Sequence, residues 1–127
     1  MLKKSYGQHF LHDKNIIAKI VASVRPTADE MIVEVGPGAG ALTDGLVVLG
    51  GELVLIESDR DLIPSLQERF PTAAIVQADA AQTDYDEITQ GRPWIFVSNL
   101  PYNAGNAILE KVFISKNPPR ELVVMVQ

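Results

Sequence analysis

The segment from Ser98 to Asn103, Ser-Asn-Leu-Pro-Tyr-Asn, contains residue types that could bind a flat base carrying an amino group. The amide oxygen of Asn99 and the backbone carbonyl of Leu100 or Pro101 can accept the two hydrogens of such an amine. The nitrogen lone pair is then freed to attack an electrophile. Tyr102 can stack on the base, a contact worth roughly 1–3 kcal/mol in nucleic-acid complexes. The alternative is an ordinary turn built on Asn and Pro, with Tyr102 in the core.

A second motif, Glu34-Val35-Gly36-Pro37-Gly38-Ala39-Gly40, alternates glycines directly after an apolar run. Gly36 and Gly38 let the backbone turn sharply and let a ligand come close, because no Cβ stands in the way. Pro37 removes one N–H, which makes the turn less suited to a pyrophosphate. Through Ala41 the pattern also fits Gly-x-Gly-x-x-Ala, so a dinucleotide site and a plain strand-to-helix turn both stay open.

Two acidic residues follow later apolar runs at positions where a cofactor could meet them. Glu57 lies 21 residues beyond Gly36, where a carboxylate can bind both ribose hydroxyls of an adenosine-containing cofactor. Asp79 directly follows the next run and could accept the amino hydrogens of an adenine. The neighbours of Glu57, which are Ser58, Asp59 and Asp61, are better explained as residues that cap a helix start.

Five short apolar, β-branched runs are predicted to be the strands that position these residues. They are Met31–Val35, Leu53–Glu57, Ala74–Ala78, Trp94–Ser98 and Leu122–Val126. Their nearly continuous apolarity is typical of strands covered on both faces. Helical patterns separate them, so we expect an α/β fold with an open, doubly wound parallel sheet whose ligands bind at the carboxyl ends of the strands.

The helices are predicted from apolar spacing and from stop signals. The first begins at the cap Asp13 and runs to about Arg25, and the others span Ala41–Leu49, Leu62–Phe70 and Asn106–Ser115. The stretch Ala81–Gly91 has no clear period and is expected to be loop with a short helix.

Composition places the 127-residue chain among globular proteins, with 46% hydrophobic and 21% charged residues. No apolar run approaches the roughly 18–20 residues that span a bilayer, and the first residues lack a signal-peptide core, so we expect a cytoplasmic protein.

There is no cysteine, which excludes disulfides and thiolate metal sites. His9 and His12 have no acidic partners at a metal-ligand spacing, so no metal site is expected.

The net charge of −5 hides an asymmetry between the two ends of the chain. Residues 1–25 contain five Lys or Arg and one Asp, whereas residues 26–127 contain six Lys or Arg and fifteen Asp or Glu. Only the amino-terminal arm therefore attracts phosphate, and Lys3 and Lys4 are candidate RNA contacts. On charge alone, lysines that merely solvate the arm explain the pattern equally well.

Six ordered motifs together resemble the KsgA-type ribosomal RNA adenine dimethyltransferases. They are Tyr6–Leu11, Glu34–Thr43, Glu57–Leu62, Gln77–Ala80, Asn99–Asn103 and Met125–Gln127. The resemblance covers the whole chain and implies a Rossmann-like, S-adenosylmethionine-dependent methyltransferase fold. It also implies that S-adenosylmethionine is the cofactor and small-subunit rRNA the substrate, with two neighbouring adenosines each methylated twice at N6.

The resemblance assigns roles to residues of this chain. It implies that His9 and Leu11 contact the cofactor from the arm. Gly36 and Gly38 would lie alongside the methionine part of the cofactor, and Glu57 would bind its ribose. Asp79 would bind the adenine amine, and Asn99 would lie between cofactor and target base. Pro101 and Tyr102 would complete the acceptor pocket. The chain departs from the family at Ser58, commonly apolar, and at Ala104-Gly105, commonly Ile followed by Ser or Thr.

Three alternatives remain at this point. An erythromycin-resistance-type enzyme methylates large-subunit rRNA with the same pocket, and a cofactor-binding fragment without activity would keep the glycine loop. A nicotinamide-dependent oxidoreductase would share the glycines and Glu57 but would leave Asn99–Tyr102 unexplained.

The resemblance also predicts how the chain divides. Residues 1–25 are expected to form a basic arm and helix, and residues 26–127 an incomplete methyltransferase domain, truncated after the fifth strand, without the family's later strands and helical domain. The apolar run Leu122–Val126 would then be an unpaired edge strand through which the chain could self-associate.

Overall fold

The structure, a computed structural model, describes residues 13–100 and 103–126. Within these residues, helices and strands alternate in the order α1 Lys14–Ser23, β1 Met31–Val35, α2 Ala41–Val47, β2 Glu52–Glu57, α3 Ile63–Arg69, β3 Ala74–Gln77, α4 Tyr85–Thr89, β4 Trp94–Leu100, α5 Gly105–Phe113 and β5 Glu121–Val126. Two 3₁₀ turns, Arg60–Leu62 and Ala80–Gln82, follow β2 and β3.

The strands form one parallel sheet in the order β3-β2-β1-β4-β5. The chain starts in the middle at β1, proceeds outward to β3, then crosses back to β4 on the other side of β1. This order confirms the predicted doubly wound α/β fold. The point where the order reverses lies between β1 and β4, and ligands of such sheets bind outside the carboxyl ends of the strands there.

The sheet is covered on both faces, because every residue of β1 and nearly every residue of β2 and β4 is buried. Helices α1, α2 and α3 cover one face. The helix residues Leu42, Leu46 and Leu66 share a core cluster there with strand residues Ile32, Leu53, Leu55, Ile95 and Val97. Helices α4 and α5 cover the other, where Tyr85 stacks on Trp94 with ring centroids 5.7 Å apart. The continuous apolarity of the strands is explained by this double cover.

Helix α1 is fixed at its start and along one side. The Asp13 carboxylate accepts hydrogen bonds from the amides of Asn15 at 2.9 Å and Ile16 at 3.3 Å, which confirms the predicted cap. Along its side α1 packs on α2, where Gly45 allows a close approach, because a Cβ there would lie 2.5 Å from Cγ2 of Val21. The cap stabilises the start of α1, and the close approach of Val21 to Gly45 packs the helix on α2.

The amino end of the sheet is held by an ion pair in which the acidic partner is buried and the basic partner is exposed. The carboxylate of Glu30, just before β1, is 1% exposed and pairs with Arg120, just before β5. Arg120 also donates to the carbonyl of Arg25 at 3.0 Å. The Arg120 hydrogen bond lowers the pKa of Glu30 to about 2. The edge strand β5 is therefore tied to the segment that leads into the central strand.

Some helix and strand boundaries differ from the predicted ones, and the difference that affects the site is in β4. That strand runs two residues further than predicted, so Asn99 and Leu100 pair with Met125 and Val126 of β5 and do not follow the strand as a turn. Helix α2 ends at Val47, two residues before its predicted end. The Ala81–Gly91 stretch contains a 3₁₀ turn and the five-residue helix α4, in agreement with the prediction.

Candidate active site

The strand register brings the predicted site residues to one edge of the sheet. Val35 pairs with Ile56 on one side and with Ser98 on the other, so the residues that follow them are Gly36, Glu57 and Asn99. The glycine loop is therefore central, with Glu57 on one flank and Asn99 on the other. By strand alternation, Glu34, Glu57 and Asn99 are directed to the same face of the sheet.

The glycine loop takes backbone conformations that side chains other than glycine rarely adopt. Gly36 and Gly38 have φ values of +71° and +57°, and a Cβ at either position would meet nothing within 4 Å. The backbone is therefore exposed to open space at both positions. Such a surface can be approached closely by a ligand, which is the role predicted for these two glycines.

Glu57 is buried at the end of β2, and each of its carboxylate oxygens is oriented by a backbone amide. Oε1 accepts from Gly38 N at 3.0 Å and Oε2 from Asp59 N at 2.9 Å. Because each carboxylate oxygen has a second lone pair, both can still accept a hydroxyl. The side chain is thus held between the glycine loop and the next turn, in an orientation that suits a ribose diol.

A second carboxyl group, that of Glu34, lies in β1 just before the glycine loop. Glu34 is 2% exposed, and the hydroxyl of Thr43, which is 0% exposed, donates to its Oε1 at 2.5 Å. Burial raises the pKa of Glu34 to about 8, the Thr43 hydrogen bond opposes the rise, and the charge of Glu57 adds to it. Glu34 is therefore mostly protonated at neutral pH, which avoids two buried negative charges under one loop.

Arg69 braces the loop from α3. Its guanidinium donates to the carbonyl of Ala39, pairs with Asp44 of α2 at 2.8 Å, and lies 4.9 Å from the centre of the Phe70 ring. A Cβ at Gly40, where φ is +90°, would lie 2.9 Å from both Arg69 Nη1 and Phe70 Cε2. A glycine at position 40 is required by this close packing as well as by its φ.

Asp79 lies beyond β3 and is exposed. Its side chain accepts the amide of Ala81 at 2.9 Å and so caps the 3₁₀ turn Ala80–Gln82. Its backbone carbonyl accepts the Thr83 hydroxyl at 2.8 Å. The cap fixes the carboxylate at the edge of the site while leaving acceptor capacity for an amine, and the adenine role stays a prediction.

Asn99 lies at the far flank of the glycine loop and is half-buried in β4. The residue before it, Ser98, is 2% exposed, and its hydroxyl donates to the carbonyl of Val35 at 2.9 Å. Asn99 is thereby fixed relative to the residue that begins the glycine loop. Its predicted partners Pro101 and Tyr102, like His9, Leu11, Lys3 and Lys4, lie outside the described residues.

The departures noted in the sequence have small structural effects among the described residues. Ala104 is the N-cap residue of α5 and provides no side-chain hydrogen bond to the helix. A Cβ at Gly105 would meet Leu100 Cβ at 3.5 Å, an ordinary contact, so that position does not require glycine for space. Ser58 is exposed.

The charge at this edge favours a cationic ligand over a polyanion. Glu57, Asp59 and Asp61 lie at or just after the end of β2 and Asp79 follows β3, and the basic residues near them are Arg60 and Arg69, of which Arg69 pairs with Asp44. Within the described ranges 13–100 and 103–126, no cluster of metal-ligating side chains occurs, and no helix has the length and apolarity to cross a membrane. A cofactor with a ribose and a positive charge, such as S-adenosylmethionine, fits the open glycines and the oriented Glu57.

Sequence reasoning did not find three of the residues that build this site. Thr43, Arg69 and Ser98 all hold the loop or the strand beside it through hydrogen bonds to Glu34, Ala39 and Val35. Thr43 and Ser98 both lie within motifs described above, but neither was assigned a role. Partners 9, 30 and 63 residues apart carry no local sequence signal.

The fold and the site define a Rossmann-like methyltransferase class, with the glycine loop at the centre of a β3-β2-β1-β4-β5 sheet. The chain belongs to the ribosomal RNA adenine dimethylase family, whose model matches residues 1–127. This is a family of S-adenosylmethionine-dependent methyltransferases, which confirms the predicted resemblance and leaves the nicotinamide oxidoreductase without support.

Two relatives show the extent of the match. The chain is 37% identical over 129 residues to ribosomal RNA small subunit methyltransferase A of Hahella chejuensis, covering 98% of the chain and 47% of the relative. It is 45% identical over 108 residues to the protein of the same name from Maridesulfovibrio salexigens, covering 84% and 41%. The chain spans about half the length of these curated relatives.

Solved structures share the fold. The 23S rRNA methyltransferase ErmE superposes with a TM-score of 0.76 at 28% identity, covering 91% of this chain and 47% of that one. A dimethyladenosine transferase from Plasmodium falciparum superposes with a TM-score of 0.77 at 21% identity, covering 91% and 42%. The second likeness concerns the fold alone.

Proposed function

We propose that this protein transfers methyl groups from S-adenosylmethionine to N6 of two adjacent adenosines in small-subunit rRNA. The observation that carries the proposal is the placement of Asn99 at the end of β4, one strand away from the glycine loop and on the same sheet face as Glu57. A base beside Asn99 and a cofactor between the loop and Glu57 would be adjacent.

On the cofactor side, S-adenosylmethionine supplies a methyl group on a positively charged sulfur. Glu57, oriented by Gly38 N and Asp59 N, would accept both ribose hydroxyls. Gly36 and Gly38 would allow the methionine part to lie against the backbone, and Asp79 would accept the adenine amine. His9 and Leu11 are proposed to contact the cofactor from the arm.

On the acceptor side, the Asn99 amide oxygen and the carbonyl of Leu100 or Pro101 would accept the two N6 hydrogens of the target adenine. These contacts localise the nitrogen lone pair toward the methyl group and align it for in-line transfer. Tyr102 would stack on the base. Since a base in a duplex cannot reach such a pocket, the target must be single-stranded or flipped.

The substrate is proposed from the relatives. Those at 37% and 45% identity are named small-subunit enzymes, whereas ErmE, named a 23S rRNA methyltransferase, is 28% identical. The higher identities favour small-subunit rRNA as the substrate, and large-subunit rRNA is the second candidate.

With either substrate the protein would work in the cytoplasm, and Lys3 and Lys4 would contribute phosphate contacts.

The division of the chain is part of the proposal. Residues 26–127 would form the cofactor-binding part of the methyltransferase, and residues 1–25 the basic arm and first helix. We also propose self-association through β5, because that strand forms one edge of the described sheet. Light scattering at high concentration tests it, and a strictly monomeric protein would contradict it.

The decisive experiment is transfer of tritium from labelled S-adenosylmethionine to purified immature ribosomal subunits, followed by mapping of the labelled nucleotides. Label on two adjacent adenosines of the small subunit is expected. Label in the large subunit would move the assignment to the erythromycin-resistance type. Binding of S-adenosylhomocysteine without any transfer would support the cofactor-binding fragment.

A matched pair of variants tests the acceptor site. Asn99→Ala is expected to abolish most transfer while keeping S-adenosylhomocysteine affinity within roughly tenfold, because the amide acts mainly on the acceptor amine. Asn106→Ala, an exposed asparagine in α5, is the control and should transfer normally. Normal transfer by Asn99→Ala would overturn the mechanism.

A further inference from the structure

The loop that would receive the cofactor connects two elements that share one buried hydrogen bond. Glu34 is the penultimate residue of β1, and Thr43 lies in the first turn of α2, so the five loop residues 36–40 run between them. Their side chains are 2% and 0% exposed, and the Thr43 hydroxyl donates to Glu34 Oε1 at 2.5 Å. No other polar side-chain contact between β1 and α2 is recorded in the described chain.

We propose that the Glu34–Thr43 hydrogen bond fixes the shape of the glycine loop, which makes both residues positioning residues for cofactor binding. The inference rests on the proposed function, because it assumes that the loop receives S-adenosylmethionine. Neither residue needs to touch the cofactor: both are covered, while the open space lies beside Gly36 and Gly38.

The geometry explains how the Glu34–Thr43 bond contributes to the shape of the loop. The Glu34–Thr43 bond connects the strand before the loop to the helix after it. At the helix end of the loop, the Asp44 amide donates to the Gly40 carbonyl at 3.0 Å. The middle is held by Glu57, which accepts the Gly38 amide. If α2 moved away from β1, Gly38 would move relative to Glu57, and the ribose acceptor would lose its orientation together with the loop.

The state of Glu34 is consistent with this role. A protonated carboxyl keeps one oxygen as an acceptor for Thr43 and adds no charge next to Glu57. Asp44 of α2 and Arg69 of α3 pair with each other at 2.8 Å near the surface, and Glu68 of α3 is exposed. A glutamine at position 34 would preserve the same acceptor, so the positioning role predicts that Glu34→Gln is tolerated.

The test measures S-adenosylhomocysteine affinity by calorimetry at pH 7 for the protein and four variants. Thr43→Val and Glu34→Leu remove the donor and the acceptor while roughly keeping shape. Each is expected to raise Kd by about 5- to 10-fold, the effect of one hydrogen bond. Thr43→Ser and Glu34→Gln preserve the bond and should stay within about 3-fold of the parent protein.

The control separates positioning from general stability. Thr89 is also a 0% exposed threonine, and its hydroxyl oxygen accepts from Asn117 Nδ2 at 3.2 Å, at the opposite end of the sheet. Thr89→Val should lower the melting temperature and leave Kd unchanged. If Thr43→Val does not fold, Thr43→Ala replaces it, since a smaller side chain avoids any clash.

Hydrogen exchange of the amides at 38–40 without ligand provides an independent measurement. Faster exchange in Thr43→Val than in Thr43→Ser is expected. Equal affinities and equal exchange in these two variants would overturn the inference. Absence of S-adenosylhomocysteine binding by the parent protein would instead overturn the proposed function, and the exchange experiment would still decide whether the bond shapes the loop.

Discussion

The Ser98 hydroxyl donates a 2.9 Å hydrogen bond to the carbonyl of Val35, a residue 63 positions earlier in the chain. Val35 precedes Gly36 and Ser98 precedes Asn99, so this bond joins the start of the glycine loop to the proposed acceptor residue. The bond crosses between β1 and β4, where the strand order reverses. The two halves of the proposed site are therefore connected directly, within the sheet.

Replacing this serine should affect both stability and transfer. Ser98→Ala is expected to lower the free energy of unfolding by about 1 kcal/mol, the usual contribution of one neutral hydrogen bond. Because Asn99 is adjacent, methyl transfer should fall by roughly 2- to 10-fold through loss of alignment. Urea denaturation and transfer assays measure the two effects.

The control for Ser98→Ala is Ser115→Ala. Ser115 donates to the carbonyl of Val112 at 2.7 Å, after α5 and away from the carboxyl ends of the strands. Its replacement should lower stability and leave transfer unchanged. Equal transfer rates in the two variants would show that the Ser98 bond does not align the acceptor site.

Glu57→Gln should weaken cofactor binding. The carboxylate accepts from both Gly38 N and Asp59 N, and a glutamine would direct an NH₂ group at one of these two amides. Hydrogen bonds to a charged group contribute about 1.5–3 kcal/mol, so Kd for S-adenosylhomocysteine should rise by roughly 10-fold or more. Calorimetry with Glu87→Gln, an exposed glutamate of α4, as the control checks this. Unchanged affinity in Glu57→Gln would remove the ribose role.

Glu34 should make the free energy of unfolding fall as pH rises between about 4.5 and 8. Burial raises its pKa to about 8 from the ordinary value of 4.5. A raised pKa means that the folded state binds a proton that the unfolded state releases above pH 4.5. This contribution to stability is complete below about pH 4.5 and is lost as pH rises to about 8.

The slope from this group approaches about 1.4 kcal/mol per pH unit within that window. Glu34→Gln cannot titrate, so its stability should vary less between pH 5 and 8 than that of the parent protein. Urea unfolding at several pH values tests the difference. Parallel pH profiles for the two proteins would contradict a buried, protonated Glu34.

Gly40→Ala should be more damaging than a comparable change at Gly50. Both glycines have positive φ, +90° and +80°, but a Cβ at Gly40 would lie 2.9 Å from the buried Phe70 ring, whereas at Gly50 it would meet nothing within 4 Å. Gly50→Ala should cost about 1 kcal/mol of backbone strain, and Gly40→Ala about 2 kcal/mol or more. Urea denaturation compares them, and equal losses would show that the Phe70 contact adjusts freely.

Much of the architecture was predictable from local pattern. The run Met31–Val35 is apolar throughout, and the structure makes it a strand buried at every residue, because a strand between two helical layers needs apolar side chains on both faces. Asp13 was predicted as a cap and accepts the amides of α1. Alternation of strands with helices was sufficient to predict parallel pairing and the edge at which the site lies.

The end of β4 was predicted less well. The strand was predicted to end at Ser98, but β5 pairs with Asn99 and Leu100 as well and extends the strand by two residues. Pairing with a neighbouring strand is a long-range interaction, and here it outweighs local preference.

The sequence by itself determined the secondary-structure order, the sheet edge at which Gly36, Glu57, Asp79 and Asn99 lie, and membership of the dimethylase family. Only the tertiary structure decided what holds those residues in place: Thr43 on Glu34, Arg69 on Ala39, and Ser98 on Val35. The physical reason is that these bonds depend on strand register and on how α2 and α3 dock, which no local run of residues specifies.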